Sequence, residues 1–383
     1  MSVTRRGFVR TVGLGTVGMF STSFIIGRGS EAAAFEPDAP PARPDDGIIR
    51  ISSNENGRGP GQSAIQAIHD AMTPRMGRGY PPDGVNELRE TIARKHGVAV
   101  SNVVVGTGSA PILEGAVHAF CSPERGVVSV APTYLTCENT ARRLGFPVNA
   151  VRVDDSLALD LDAMVEAADG MGLVFFCNPN NPTGTAHSLE DVEAYVRTVK
   201  ERSPETAILI DEAYLEYVHD PAVRTAVRIT QEYPGVFVTR SLSKAHGMAG
   251  LRVGYAVGQE DTVSRIPAAW HLGSMNTLSA SAASASIEDT AHIEAEVAEN
   301  ARIRDMVMST FREWGYDGPD VHTNCVFVNL GRPASWFRDE CLARGVRVGR
   351  DFPPFEDRYS RITLGTAEEM EQAMEVFKEV LNA

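Results

Sequence analysis

The 383-residue chain lacks a surplus of positive charge: 36 lysines and arginines stand against 50 aspartates and glutamates, a formal net charge of −14. Nucleic acid and anionic membrane surfaces are thereby excluded as main partners, because both are held through basic patches. Metal-binding spacing is also missing. Five cysteines (Cys121, Cys137, Cys177, Cys325, Cys341) show no C-x-x-C and no accompanying histidine cluster, so no metal site is expected. They read as buried thiols that pack as small apolar groups. There is no internal repeat, no long low-complexity tract, and no run of the roughly 20 apolar residues that a membrane-spanning helix requires. What remains is ordinary for a globular chain: 43% hydrophobic and 22% charged residues, enough for one large or two medium domains.

The first 34 residues differ from the rest. Arg5 and Arg6 in "TRRGFVR" precede an uncharged, glycine-interrupted stretch from Thr11 to Gly27, with small residues at Ala32 and Ala34. These are the three zones of an export signal, and the arginine pair before Phe8 resembles a twin-arginine signal. The expectation is recognition by the twin-arginine export machinery, cleavage after Ala34 and an exported, periplasmic or extracytoplasmic location. Residues 35–78 read as a leader and N-terminal arm, 79–278 as a large domain and 279–383 as a small one.

Short apolar runs alternate with helical patterns over the large domain. "NVVVG" (102–106), "GVVSVA" (126–131), "GLVFFC" (172–177), "AILIDE" (207–212), "GVFVTR" (235–240) and "RVGYAVG" (252–258) read as strands. They are apolar nearly throughout, which suits strands buried on both faces. "SAPILEGAVHAFC" and "SLEDVEAYVRTVKER" read as intervening helices. The fold class is therefore α/β, a mostly parallel sheet under helices. Beyond about Ala280 a long charged helix and two short strands, "CVFVNL" and "SRITLG", predict a smaller α+β domain.

In an open α/β sheet, ligands bind beyond the carboxyl ends of the strands. Polar sets from four separate runs fall there: Gly108-Ser109-Ala110, "NPNNPTG" (178–184), Asp211 with Tyr214, and Ser241 to Lys244. The first precedes an apolar helix, whose exposed backbone N–H groups favour a phosphate, although the run before it lacks the G-x-G-x-x-G of a dinucleotide fold. Ser241, Ser243 and Arg252 add hydroxyls and a cationic fork to the same chemistry. Asp211, after four apolar residues, is costly to bury unless it meets a cation, although a helix N-cap is an equal reading. Asn181 offers an amide to an oxygen-bearing ring. A ligand with a phosphate, an oxygen-substituted ring and a basic ring nitrogen fits these parts. Pyridoxal 5'-phosphate has all three, and an aldehyde for the lysine at Lys244.

With "SLSKAHGMAGLRVGY", "NPNNPTG" and "DEAY" in place, the chain resembles the fold-type I, pyridoxal-phosphate-dependent aminotransferases of class I/II, near the histidinol-phosphate aminotransferase group. The likeness runs from "SSNENGRGP" (52–60) to "RITLGT" (361–366). It implies Lys244 as the Schiff-base lysine and general base, Asp211 as partner of the ring nitrogen, and Asn181 and Tyr214 as partners of the ring's phenolic oxygen. It also implies Tyr134 as the stacking ring, and Ser109, Ala110, Ser241, Ser243 and Arg252 as the phosphate cradle. Tyr80 would reach the phosphate of the other subunit of a homodimer. Arg361 would anchor the carboxylate of an amino acid, whose amino group passes to a 2-oxo acid.

The segment after "NEN" reads Gly57-Arg58-Gly59-Pro60 where the family has Pro-Tyr-Gly-Pro, which makes Arg58 a candidate reader of acidic side chains, or a solvated loop arginine. Arg350 in "GVRVGRDFPPF" is the other specificity candidate. An exported enzyme fits histidine biosynthesis poorly, so the amino donor is left open. Decarboxylases, racemases and amino-acid oxidases use the same ring contacts, and a non-enzymatic binder of the cofactor would not need Arg361.

Overall fold

The computed structural model describes residues 47–73 and 83–382. The twin-arginine segment and Tyr80 lie outside the described residues. The strands are β1 (Ile49–Arg50), β2 (Val103–Gly106), β3 (Val127–Ala131), β4 (Val148–Arg152), β5 (Leu173–Cys177) and β6 (Ala207–Asp211). They continue with β7 (Val236–Ser241), β8 (Gly254–Gly258), β9 (Cys325–Asn329), β10 (Val346–Arg347) and β11 (Tyr359–Thr363). The helices used below are α1 (Gln62–Ala71), α2 (Asp83–His96), α3 (Ala110–Phe120), α4 (Leu189–Arg202), α5 (Thr277–Glu288), α6 (Thr290–Glu313) and α7 (Ala367–Asn382).

Seven strands form one sheet in the order β2-β8-β7-β6-β5-β3-β4. Only β8 runs against its neighbours, β2 and β7; the other pairs are parallel. Side chains alternate between two cores. Val127, Leu173, Phe175, Leu209 and Phe237 enter one, while Val128, Val174, Phe176, Ile208, Ile210 and Val238 enter the other. Each fully buried side chain of this kind contributes roughly 1.5–3 kcal/mol. Six of the seven strands point the same way, so the ends of β2, β3, β5, β6 and β7 share one edge of the sheet.

Helix α4 begins where its sequence directs: Ser188 caps the backbone of Asp191, and the Asp191 carboxylate accepts from the Ser188 N–H in return. Near Ala280 the structure departs from the expected single helix. Asp289 interrupts it, its carboxylate capping His292 N–H, so that α5 ends and α6 starts afresh. Ala280, Ala282, Ala283 and Ile287 of α5 belong to the core under the sheet. A separate core gathers Ile303, Val307 and Phe311 of α6 with β9, β11 and α7. The second unit therefore takes its packing from beyond residue 288 rather than from 279, and Ile51 of the N-terminal arm joins it.

A buried ionic cluster ties three loops beneath the sheet edge. Arg240 on β7 donates to Glu212 Oε2 at 2.9 Å and to Glu216 Oε1, and His246 Nε2 lies 3.8 Å from the same Glu216 oxygen. Burial pushes the Glu216 pKa up, but Arg240 and His246 together outweigh it and hold the carboxyl well below its usual range. His246 is in turn hydrogen-bonded to Ser286 on α5 at 2.7 Å. The segments carrying Asp211, Tyr214 and Lys244 are thus fixed to one another by charge.

Candidate active site

Lys244 follows β7 and stands between the two cores. Its Nζ donates to the carbonyl of Asn54 at 2.9 Å and lies 5.5 Å from the Tyr214 ring centroid. Burial, and then the Arg361 cation, lower its pKa to about 8. Asp211 ends β6, only 3% exposed, and accepts from Thr239 Oγ1 at 2.9 Å. Burial raises its pKa to about 6, and no ion pair reaches it among the described residues. Tyr214, four residues from a helix-like turn's end at Val218, is buried and accepts a hydrogen bond from Asn54 Nδ2 at 3.0 Å. Burial, then the Cys325 thiol, pushes its pKa up.

The anion cradle forms where β2 and β7 end and β8 begins. Ser109 precedes α3 without using its side chain as a cap, which leaves it and the Ala110 N–H at the start of an 11-residue helix. Ser241 Oγ accepts the Ser243 N–H at 3.2 Å, and Arg252 Nη1 reaches Ser243 Oγ at 3.4 Å. Two glycines keep this space open. A Cβ on Gly108, whose φ is +90°, would lie 2.2 Å from Arg252 Nη2, and one on Gly254 would lie 2.3 Å from Ser109 N. Only hydrogen at these positions lets the guanidinium and the helix start approach a common point.

Arg361 arrives from β11 of the other core, 7% exposed. Its Nη1 donates to Asn181 Oδ1 at 2.9 Å and its Nη2 to the Ser52 carbonyl at 2.5 Å. Its Nε is buried with no partner among the described residues, a donor that awaits an acceptor. Because Arg361 takes the Asn181 oxygen, the Asn181 amide nitrogen is left as the donor toward the pocket. Arg350 lies alongside: Phe352 carries both guanidiniums, with Arg350 4.1 Å and Arg361 4.8 Å from its ring centroid. Burial and then Arg361 lower the Arg350 pKa, while the Asp351 carboxylate and then Tyr134, which is 36% exposed, oppose this.

Arg58 is engaged differently from the sequence expectation. Its Nε and Nη2 donate to the two carboxylate oxygens of Glu296 on α6, at 2.7 and 2.6 Å, and Tyr217 donates to the same carboxylate. The Nε–Nη2 edge of the fork is filled by a buried carboxylate, so Arg58 ties the N-terminal arm to α6. One grouping escaped the spacing argument altogether. His219, Asp320 and His322 converge, with ligand atoms within 4.8 Å of one another. Arg304 Nη1, however, lies 3.2 Å from His219 Nδ1. A guanidinium can only donate, so that ring nitrogen accepts and the other holds the proton, an arrangement that together with the positive charge works against a bound dication.

Residues 46–377 match the family model described as aminotransferase class I and II. Histidinol-phosphate aminotransferase 2 of Methylococcus capsulatus is 34% identical over 331 residues, covering 85% of this chain and 88% of its own. An aromatic amino acid aminotransferase of Nocardia farcinica is 34% identical over 346 residues, covering 88% and 92%. The crystal structure of histidinol-phosphate aminotransferase from Sinorhizobium meliloti in complex with pyridoxal 5'-phosphate superposes with a TM-score of 0.81 at 26% identity, covering 88% of this chain and 91% of that one. The chain belongs to the class I and II aminotransferases. It is a pyridoxal-phosphate-dependent enzyme of fold type I, and transamination is its reaction. The residues present fit that cofactor: a buried carboxylate with no ion pair among the described residues, a glycine-opened cradle beside Arg252, and a lysine of lowered pKa.

The neutral Lys244 amine is the form that condenses with an aldehyde, and it predominates above about pH 8. When cofactor-free enzyme is mixed with pyridoxal phosphate, the rate of growth of the visible band should therefore rise with pH to a midpoint near 8, against roughly 10.4 for an ordinary lysine. K244A should show no band.

Proposed function

We propose that this aminotransferase takes an amino donor bearing a second anionic group, read by Arg350, besides the group anchored by Arg361. The observation that supports this is the Arg350–Phe352–Arg361 stack. Arg350 donates to the Asp351 carbonyl, while the Asp351 carboxylate is engaged by Arg338. Two guanidiniums on one ring repel each other, and an anion between or beside them relieves the repulsion. The relatives named for histidinol phosphate and for aromatic amino acids bracket the choice.

The residue roles complete the reading. Bound pyridoxal phosphate supplies an aldehyde carbon for the amine and a ring that accepts the electron pair released at the donor Cα. Lys244 Nζ, freed by the incoming amine, would take the Cα proton and deliver it to the former aldehyde carbon, the shift that moves the amino group off the donor. Asp211 holds a proton on the ring nitrogen, since its negative charge favours the charged form. Asn181 and Tyr214 donate to the phenolic oxygen, Tyr134 covers the ring, and Ser109, Ala110, Ser241, Ser243 and Arg252 bind the phosphate. Arg361 fixes the donor so that its Cα–H stands over the lysine. Two further readings come from the sequence: a homodimer sharing its sites through Tyr80, and export through residues 1–34. Sedimentation equilibrium should return a two-chain mass, and N-terminal sequencing of exported protein should begin at Phe35.

Arg350→Ala should raise KM for acidic or phosphorylated donors by roughly 10- to 100-fold, the loss of a charge-assisted pair. Neutral aliphatic and aromatic donors should change little. Equal losses for all donors would show that Arg350 does not read the substrate.

A further inference from the structure

Asn54 sits at a crossing of both cores, and none of its partners is near it in sequence. Its backbone is left-handed, φ 53°, a conformation that asparagine tolerates. In that conformation its carbonyl accepts from Lys244 Nζ at 2.9 Å and from Asn324 Nδ2 at 3.1 Å. Its side chain reaches Tyr214 Oη at 3.0 Å and Cys325 Sγ at 3.2 Å through Nδ2.

The directions of these bonds follow from donor counting. Asn54 N–H donates to Thr363 Oγ1 at 2.9 Å, which occupies a lone pair of that hydroxyl. The single Thr363 proton is then free for Asn54 Oδ1, 3.0 Å away. With Oδ1 held by Thr363, Nδ2 has to face Tyr214. An amide N–H only donates, so Tyr214 meets Asn54 with a lone pair and its own proton turns away. Among the described residues Tyr214 donates to nothing.

We propose that Asn54 is a positioning residue: locked by Thr363, it aims the Tyr214 proton at the cofactor's phenolic oxygen. Its carbonyl at the same time holds Lys244 Nζ, which lies 5.5 Å from the Tyr214 ring centroid. The inference rests on the assignment of Tyr214 to that oxygen. Thr363 lies two residues from Arg361 on β11, so the strand that anchors substrate also sets the proton's direction.

The test reads the pH titration of the visible band of the loaded enzyme, together with cofactor affinity by absorbance. A hydroxyl that donates to the phenolic oxygen favours its negative form, so losing it raises the apparent pKa. Tyr214→Phe should raise that pKa on the order of one unit and weaken cofactor binding. Thr363→Val frees the amide to turn over and capture the Tyr214 proton, and should shift the band in the same direction. Thr363→Ser restores the lock and should restore the parent titration. Asn54→Asp is isosteric and keeps the contact with Thr363; its carboxylate accepts the Tyr214 proton, and its shift should shrink when Tyr214 is already Phe. The proposal is overturned if T363V titrates like the parent, or if N54D shifts the band equally in the Tyr and Phe backgrounds. A Y214F band that does not move overturns the Tyr214 assignment and this inference with it, whereas a shifted Y214F beside an unshifted T363V overturns the inference alone.

Discussion

A buried carboxylate with no ion pair among the described residues is the constraint around which the site is built. Asp211 closes an apolar strand at the middle of the sheet, and the protein supplies it with a threonine hydroxyl but no ion pair among the described residues. Left alone, such a group is driven toward its neutral form. On the proposed role of Asp211, a protonated ring nitrogen would make the anion favourable again, so the burial that weakens the free carboxylate would strengthen cofactor binding. The ionic cluster of Arg240, Glu212, Glu216 and His246 has the opposite design, since every charge in it is paired. It keeps the loops rigid while Asp211 is left for chemistry.

The site draws on both cores. The sheet contributes Asp211, Lys244 and the anion cradle, and β11 brings Arg361 against Asn181. Asn54 and Ser52, from the arm, stand between them and accept from Lys244 and Arg361 respectively. On the proposed reading, an anionic donor would be held by Arg361 and Arg350, away from the β6 and β7 ends that carry Asp211 and Lys244. Phe352, packed under both guanidiniums, sets their spacing.

Much of this was legible in the sequence because buried parallel strands announce themselves. β3, β5, β6 and β7 are continuous apolar runs, and the polar residues that follow them share one edge by topology alone. β4 was missed because it is the outer strand, and its partly exposed "VNAVR" carries no such run. The break between α5 and α6 was missed because a single capping aspartate ends a helical pattern that otherwise continues. The tie from Arg58 to Glu296 was not legible because the two lie 238 residues apart, and the His219–Asp320–His322 grouping was invisible for the same reason. Asn54 carries no local signal at all: its partners come from Tyr214, Lys244, Asn324, Cys325 and Thr363, and only the folded chain brings them together.

The most direct test of the account compares pyridoxal phosphate with its carbocyclic analogue, in which carbon replaces the ring nitrogen, in the parent enzyme and in Asp211→Asn. If the buried carboxylate is completed by the ring cation, the parent should bind the analogue roughly 100-fold or more weakly, the cost of leaving a buried charge unpaired, and D211N should discriminate far less. Equal affinity of the parent for both compounds would contradict the central claim, because the carboxylate would then not depend on the cofactor for its charge.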